Sequence, residues 1–554
     1  MTSFQSLRGR SAWAAAALLL LALFAGARAR GQAAPELGRE GTAAGRGRIL
    51  LVLPFDNRTG QPSLDWIREA AAELLNSRFS SAGFSPMSRE ERLYALDHLG
   101  LPEGFQPSRA SALKLAQTLD ADSIVVGSYV MDGNNIVAEA RVVDVPHLQM
   151  SAPVTSRGDL HDLIAVYDSL AWKLTRVLDP GINVTEDTFV AAGKGIRLDA
   201  FEQYIRGITE SDHDERLRHL KQAVYLSPDF SPAWMALGRE DYAGQGYDEA
   251  ATVFAKVGKN DPDALEAEFY RGLSLLFSGH YPEAETEFAA IAKVLPLAEV
   301  LNNEGVAVSR QGHDGSAMFV AAESADPNAA DYHFNLAVSL KHRGSNKEAL
   351  AELAQCLKLR PNDAEAQEVQ REWNGAPPPP APAAGGDDQA AMPGTKADPL
   401  ERIARTFDAS AFRAAAGMMD QLETARLAAL SPHDRAEKLS EEAKDYLDRG
   451  LLLEAARLYQ SAVAADSSVA EAHAGLAEVE ERSGDEASAR TEAKAALELK
   501  PSADAYLVLG RLDLAANHLD EASKDTAEAL RLDPGNRTAQ DLGRKIDSKA
   551  GKRP

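Results

Sequence analysis

A proline recurs at a fixed interval in the middle of the chain, and this period constrains the fold more than any other feature. Pro228, Pro262 and Pro296 are 34 residues apart, and the same interval separates Pro327 from Pro361. Periods of about 20 to 50 residues are typical of repeat proteins, whose units stack because none can bury its apolar face alone. We therefore expect the C-terminal two-thirds of the chain to be a series of stacked units rather than one globular core.

Small and large apolar residues keep fixed places within each period. In one unit Trp234, Leu237 and Gly238 precede Ala250 and Phe254. Later units hold the equivalent positions with Gly272, Ala284, Phe288, Ala337, Ala349 and Leu353. Small residues let two antiparallel helices approach closely, larger ones fill the space between hairpins, and the proline ends the second helix. The pattern resembles the tetratricopeptide repeat (TPR) family, which implies an all-α superhelix.

The repeats, about eight in number, fall into two arrays, which we place at residues 199–375 and 398–550. The unit that ends at Pro327 is short, and we expect its first helix or turn to be clipped. Residues 376–397 are rich in Pro, Ala and Gly, which favours an extended linker.

Helical periodicity returns after this linker, and two interpretations of residues 398–430 stay open. One is a degenerate helix pair that opens the second array. The other is an amphipathic segment that docks into the groove of the first array.

Residues 48–180 predict an α/β domain. Strands are expected at residues 49–53, 123–130 and 136–143, and helices at residues 66–79, 108–119 and 160–177. The runs Val52–Asn57, Ala121–Ser128 and Ala138–Asp144 resemble the amino-terminal domain of TolB-type envelope proteins. The sequence departs from that family after Asp144 and lacks its β-propeller, so the resemblance implies a small periplasmic adaptor but not membership of the Tol system. Residues 181–198 are expected to be a linker.

The N-terminus indicates export. Arg8 and Arg10 precede an apolar run from Ala12 to Phe24, followed by small residues suited to cleavage. We expect a signal peptide at residues 1–29, a linker at 30–47, and a periplasmic location, with secretion as second choice. An uncleaved anchor is the alternative, but no stable membrane insertion is expected after cleavage. The only cysteine is Cys356, which leaves no intrachain disulfide and is expected in a helical core.

Charge and motifs exclude several functions. The net charge of −24 argues against nucleic-acid partners. No motif of a metalloprotease, hydrolase or paired-cysteine site is present, and Gly193-Lys194-Gly195 departs from a phosphate loop at Thr188 and Ile196. We expect no enzyme activity, no cofactor and no metal.

The groove of the first array is the candidate site. In the TPR family the first helix of each repeat lines a concave surface, and the resemblance carries those positions onto Met235, Arg239, Tyr242, Phe269, Leu273, Leu276, Phe334, Val338 and Lys341. An apolar floor flanked by charges suits an extended or helical peptide. The alternative is that these side chains only pack against neighbouring helices.

Together these features predict an exported, non-catalytic scaffold that binds peptide or protein partners. A soluble subunit of an outer-membrane assembly or secretion complex is the alternative. The sequence leaves the oligomeric state open.

Overall fold

The computed structural model describes residues 49–102, 109–193, 195–259, 261, 263–375, 399–407 and 422–551. The predicted signal peptide and the predicted linkers at 30–47 and 376–397 lie outside these residues. Two compact units are present: one contains residues 231–407, and the other combines residues 49–230 with 422–551. Each unit is described by itself.

A seven-stranded mixed sheet opens the chain. Its strands are β1 (Ile49–Val52), β2 (Asp56–Asn57), β3 (Ser85–Pro86), β4 (Ser123–Asp132), β5 (Asn135–Asp144), β6 (Gln149–Met150) and β7 (Val154–Asp159). β1 pairs in parallel with β3 and β4, β2 pairs in parallel with β4, and the β4–β5 hairpin adds the antiparallel part, to which β6 and β7 are joined. Gly133 turns this hairpin at a φ of 64°, a conformation that glycine adopts without strain.

Helices pack against this sheet, and the predicted α/β domain is confirmed. They are α1 (Ile67–Ser81), α2 (Arg89–His98), α3 (Arg109–Thr118) and α4 (Leu163–Leu178). Phe55 meets Tyr167 edge-on, with ring centroids 5.7 Å apart, and both rings are fully buried. The sequence did not predict α2, which begins with a capping box between Ser88 and Glu91. The specific likeness to the TolB-type domain stays a prediction.

The predicted linker at residues 181–198 is wrong in part, because it contains helix α5 (Glu186–Ala192). The hydroxyl of Thr185 caps this helix, and Phe189 is fully buried. Two further helices follow, α6 (Leu198–Thr209) and α7 (His213–Leu226). We expected this pair in the first array, but it belongs to the unit that contains the sheet.

The first array is a series of antiparallel hairpins. Its helices are α8 (Ser231–Ala243), α9 (Tyr247–Phe254), α10 (Ala264–Phe277), α11 (Tyr281–Val294), α12 (Ala298–Arg310), α13 (Ser316–Ala325), α14 (Ala330–His342), α15 (Asn346–Leu359) and α16 (Ala364–Trp373). A Cβ on Gly238 would lie 2.7 Å from the Phe254 ring, and one on Gly272 would lie 2.8 Å from Phe288. These glycines therefore permit the close approach that the sequence predicted.

The short unit that ends at Pro327 differs from its prediction. Its first helix, α12, has 13 residues, whereas its second helix, α13, has only 10. The shortening therefore lies in the second helix, and the first helix presents a complete face.

The second array comprises α17 (Pro432–Asp448), α18 (Leu452–Ala465), α19 (Ala470–Ser483), α20 (Glu486–Leu499), α21 (Ala503–Ala515), α22 (Leu519–Leu532) and α23 (Arg537–Lys549). Helix α5 packs against α18 and α19, which joins the sheet and this array within one unit. The predicted fold, an α/β domain followed by helical repeats in two arrays, is thus confirmed. Among the described residues, no helix combines the length and the apolar character that a bilayer crossing requires.

Candidate functional site

Residues 399–407 form an extended segment that lies on the first array. Glu401 contacts α12, Arg402 contacts α12, α14 and the N-terminal end of α16, Ala404 contacts α12, and Phe407 contacts α10. We call the surface made by these four helices the groove. The interpretation that a helix pair begins at residue 398 is wrong for 399–407, while residues 422–428 are helical. For residues 399–407 the structure supports the alternative, an amphipathic segment in the groove of the first array.

Asparagine side chains bind the backbone of this segment. Asn303 donates from Nδ2 to the carbonyl of Ala404 (2.8 Å) and accepts from its amide (2.9 Å). Asn335 makes the same pair of bonds to Arg402, at 2.7 and 2.6 Å. Asn302 adds a bond to the Arg402 carbonyl at 3.0 Å. All three asparagine side chains are fully buried. They bind the peptide backbone as a neighbouring β-strand would, and these contacts do not depend on the side chains of the segment.

The Arg402 side chain enters a pocket lined by carboxylates. It donates to Asp331 (2.8 Å), to both oxygens of Asp363 (2.6 and 2.9 Å) and to Glu365 (2.8 Å). Its guanidinium carbon lies 3.7 Å from the ring centroid of Phe334. The planar guanidinium of arginine can donate hydrogen bonds to several carboxylates while its face lies on the ring. The ammonium group of lysine carries the same charge but cannot make both kinds of contact.

The ionisation of this pocket reflects the ion pair. The hydrogen bonds from Arg402 lower the pKa of Asp363 below its usual range. Partial burial acts to raise the pKa of Asp331, but hydrogen bonds from Arg360 and Arg402 outweigh burial and lower it. Both carboxylates are therefore charged at neutral pH, and the arginine is their counter-ion.

Glu401 is the residue that precedes Arg402 in the segment. It accepts a hydrogen bond from the Ser309 hydroxyl and forms an ion pair with Arg310, with Nε and Oε2 3.2 Å apart. Arg310 also donates to the Glu401 carbonyl at 3.0 Å. The Glu401 side chain is almost fully buried, so this end of the segment is held by charge as well as by backbone contacts.

The other end of the segment is apolar. Phe407 packs on Phe269 with ring centroids 5.4 Å apart, and Ile403 joins the same apolar cluster. The Arg405 guanidinium carbon lies 5.0 Å from the ring centroid of Phe277. An aromatic anchor thus follows the arginine anchor by five residues.

The nine residues predicted to line the groove have different surroundings. Phe269 and Phe334 contact the segment directly, and Leu273 and Leu276 belong to the cluster on which Ile403 packs. Tyr242 packs against the same cluster, among Tyr247, Tyr270 and Phe277. The other four have different surroundings: Met235 and Val338 are buried in repeat cores, Arg239 pairs with Glu266, and Lys341 lies over Trp373. Their role in binding a partner stays a prediction.

Sequence reasoning missed the asparagines and the acidic pocket. The sequence predicted that the first helix or turn of the short unit is clipped, and none of the nine predicted groove residues lies on α12. Asn302 and Asn303 are adjacent in the interior of that helix, where asparagine is a poor helix former. Two asparagines inside a helix conflict with the low helix propensity of asparagine, and this conflict could have marked them as functional residues.

Glu323, His333 and Glu352 offer ligand atoms close enough for a metal ion. However, His333 directs Nδ1 to Glu352 (2.8 Å) and Nε2 to the Pro327 carbonyl (3.1 Å). His473 repeats both contacts in the second array, with Glu492 and the Ser467 carbonyl. Hydrogen bonds to these oxygens raise the pKa of both histidines. The same contacts recur in both arrays and occupy both ring nitrogens, which indicates a structural brace between helices rather than a metal site.

A family model described as tetratricopeptide repeat matches residues 235–298, 307–364 and 440–504, and these segments are tetratricopeptide repeats. No curated protein sequence matches the chain significantly.

Solved structures resemble parts of the chain. MamA from Desulfovibrio magneticus RS-1 is 22% identical, with a TM-score of 0.29, covering 31% of this chain and 100% of that one. YrrB, described as a TPR protein with an unusual peptide-binding site, is 16% identical, with a TM-score of 0.28, covering 37% and 99%. The C-terminal domain of LpoB from Escherichia coli is 20% identical, with a TM-score of 0.19, covering 22% and 87%.

Proposed function

Because three segments of the chain are tetratricopeptide repeats, we propose that the protein is a non-catalytic interaction scaffold whose groove binds extended peptide segments of partner proteins. One observation carries the proposal: Asn303 and Asn335 each pair with both backbone groups of one residue in an extended segment. Buried amides cost free energy unless they are paired, so a groove that presents them is built for a peptide backbone.

The scaffold acts outside the cytoplasm in this proposal. The support is the sequence of residues 1–29, with basic residues, an apolar run and small residues in the order of a signal peptide. Fractionation of cells followed by N-terminal sequencing of the recovered protein tests this part. A periplasmic protein that begins near residue 30 supports export, and a cytoplasmic protein that retains residues 1–29 contradicts it.

Crosslinking in intact cells tests the interaction role. The tagged full chain is compared with a variant carrying Asn303→Asp and Asn335→Asp. Aspartate keeps the shape of asparagine but replaces the Nδ2 donor with an acceptor that faces a carbonyl oxygen. These positions are better targets than Phe269 or Phe334, since those rings are fully buried and their truncation would damage the repeat cores.

Asn328→Asp is the matched control, since Asn328 is exposed in the same array. The proposal expects partners that the control retains and the double variant loses. If the double variant and the control recover the same partners, the groove is not the interaction site.

A further inference from the structure

We infer that the partner of the groove is an extended peptide that presents an arginine and, five residues later, an aromatic residue, and that residues 399–407 occupy the groove in its absence. This inference rests on the proposed function and specifies its ligand.

The pocket around Arg402 makes the first requirement. Asp331, Asp363 and Glu365 converge on one guanidinium, and the Asp363 side chain is only 7% exposed. Without a cation, these carboxylates would repel one another in a partly desolvated site. Arg360, which is half exposed, also pairs with Asp331 at 2.8 Å and with Asp363 at 3.6 Å. Arg402 contacts all three carboxylates and in addition lies over Phe334. The pocket therefore selects arginine.

The apolar end makes the second requirement. Phe407 lies on the Phe269 ring and on the cluster that includes Leu273 and Leu276. Five residues of extended chain span about 17 Å. The arginine therefore binds at α14 and the aromatic residue binds at α10. Between them, the asparagines hold the backbone and fix the register.

The segment also contains positions that the groove does not read. Thr406 is exposed, and Leu400 is 58% exposed. Their side chains can vary in a partner without loss of affinity. They also supply control substitutions within the segment itself.

The segment and a partner peptide require the same asparagines and the same pocket, so they cannot bind together. Residues 376–398 join the first array to this segment within one chain, so the segment competes with a partner intramolecularly. A connection of this length gives an effective concentration on the order of millimolar. A segment with an intrinsic Kd of about 10 μM therefore weakens the apparent affinity of a partner about 100-fold until the segment itself is weakened.

The test is fluorescence anisotropy with a labelled peptide of sequence Pro399–Phe407 as the probe. The probe is titrated with the full chain and with a full chain carrying Arg402→Ala and Phe407→Ala. We expect the variant chain to bind about 100-fold more tightly, because its own segment no longer competes. Chains with Leu400→Ala or Thr406→Ala should match the unmodified chain.

A second peptide, with alanine at the arginine position, tests the partner chemistry. It should bind the variant chain at least about tenfold more weakly than the probe, as expected on loss of a desolvated ion pair. The thiol of Cys356, buried in the first array, serves as the fold check: it should stay unreactive in the variant chain.

Each other outcome overturns a stated part of the inference. If the probe binds the unmodified and the variant chain equally well, residues 399–407 do not occupy the groove. If the probe and the alanine peptide bind the variant chain equally well, the pocket does not select arginine. If the unmodified chain sediments as a dimer and the variant as a monomer, the segment comes from a second copy. Failure of the probe to bind the variant rejects the inference alone, since the proposed function is judged separately by the asparagine variants in cells.

Discussion

Arg402 lies over Phe334, with its guanidinium carbon 3.7 Å from the ring centroid, and its nitrogens donate hydrogen bonds to Asp363 and Glu365. Phe334 is fully buried, so the ring is a fixed floor and the arginine is the element that docks on it. The stability of the docked segment therefore depends on the shape of this cation as well as on its charge.

Replacing Arg402 by lysine should weaken the docking of the segment without abolishing it. Lysine keeps the charge but loses the planar fork and the stacking, at a cost of about 1–2 kcal/mol. In the anisotropy titration, the Arg402→Lys chain should bind the probe with an affinity between those of the unmodified and Arg402→Ala chains. Thr406→Ser is the control, since Thr406 is exposed, and it should leave the affinity unchanged. Identical affinities for Arg402→Lys and the unmodified chain would show that charge alone holds the segment.

Docking of the segment should weaken in acid. The pKa of Asp363 is lower when Arg402 is docked than its ordinary value of 3.8, so protons favour the undocked state. Docking is strongest above that ordinary value and is lost as pH falls through the lowered pKa. The chain carrying Arg402→Ala and Phe407→Ala leaves its groove free, and the probe uses the same pocket there. Its binding to that chain should weaken as pH is lowered from 7 to about 3.

Asp363→Asn provides the comparison for this pH series. Asparagine still caps α16, whose Ala366 amide bonds to the Asp363 side chain at 3.0 Å, but it no longer titrates. Combined with Arg402→Ala and Phe407→Ala, Asp363→Asn should weaken probe binding at neutral pH and reduce its response to acid. A pH response of undiminished size would assign the effect to other groups, such as Asp331.

The glycines at helix crossings should not tolerate a methyl group. Gly238→Ala or Gly272→Ala forces the Phe254 or Phe288 ring to shift, which costs about 1–3 kcal/mol of the free energy of unfolding. Denaturation followed by accessibility of the Cys356 thiol measures this loss in the first array. Gly258→Ala is the control, because its Cβ would meet nothing within 4 Å. Equal stability of the Gly238 and Gly258 variants would contradict the close packing.

The histidine brace in the second array should give a pH-dependent stability. Its hydrogen bond to Glu492, assisted by the Ser467 carbonyl, raises the pKa of His473 in the folded chain. The pair therefore stabilises fully below the ordinary pKa of 6.5, and this contribution disappears as pH rises through the raised value. His473→Gln should lower the midpoint of thermal unfolding more at pH 6 than at pH 9, by about 1 kcal/mol in free energy. An equal decrease in the unfolding midpoint at both pH values would mean that the neutral ring stabilises the fold as much as the protonated ring does.

The repeat fold was predictable because its signal is local and recurs. Gly238 and Phe254 stand at fixed places in one period, and Gly272 and Phe288 repeat them in the next. The same period placed Phe269 and Phe334, which contact residues 399–407, among the nine predicted groove residues. It also placed Met235 and Val338 there, which are buried in repeat cores, because periodicity does not distinguish a lining residue from a packing one.

The occupant of the groove was not fixed by the sequence, because its contacts are distant along the chain. Asn302 meets the Arg402 carbonyl across 100 residues, and no local pattern reports such a pairing. Residues 400–407 show apolar spacing that fits a helix or a docked strand equally well. The structure distinguishes the two possibilities, because the backbone of the segment is extended and binds asparagine side chains of α12 and α14.

Hydrogen exchange at the amides of Arg402 and Ala404 tests the central claim most directly. In the full chain both amides donate to buried asparagine oxygens, so they should exchange much more slowly than the same amides in the free peptide of residues 399–407. The Asn303→Asp and Asn335→Asp variant should lose part of this protection, whereas Asn328→Asp should keep it. Exchange in the unmodified chain at the rate of the free peptide would contradict the docking of this segment in the groove.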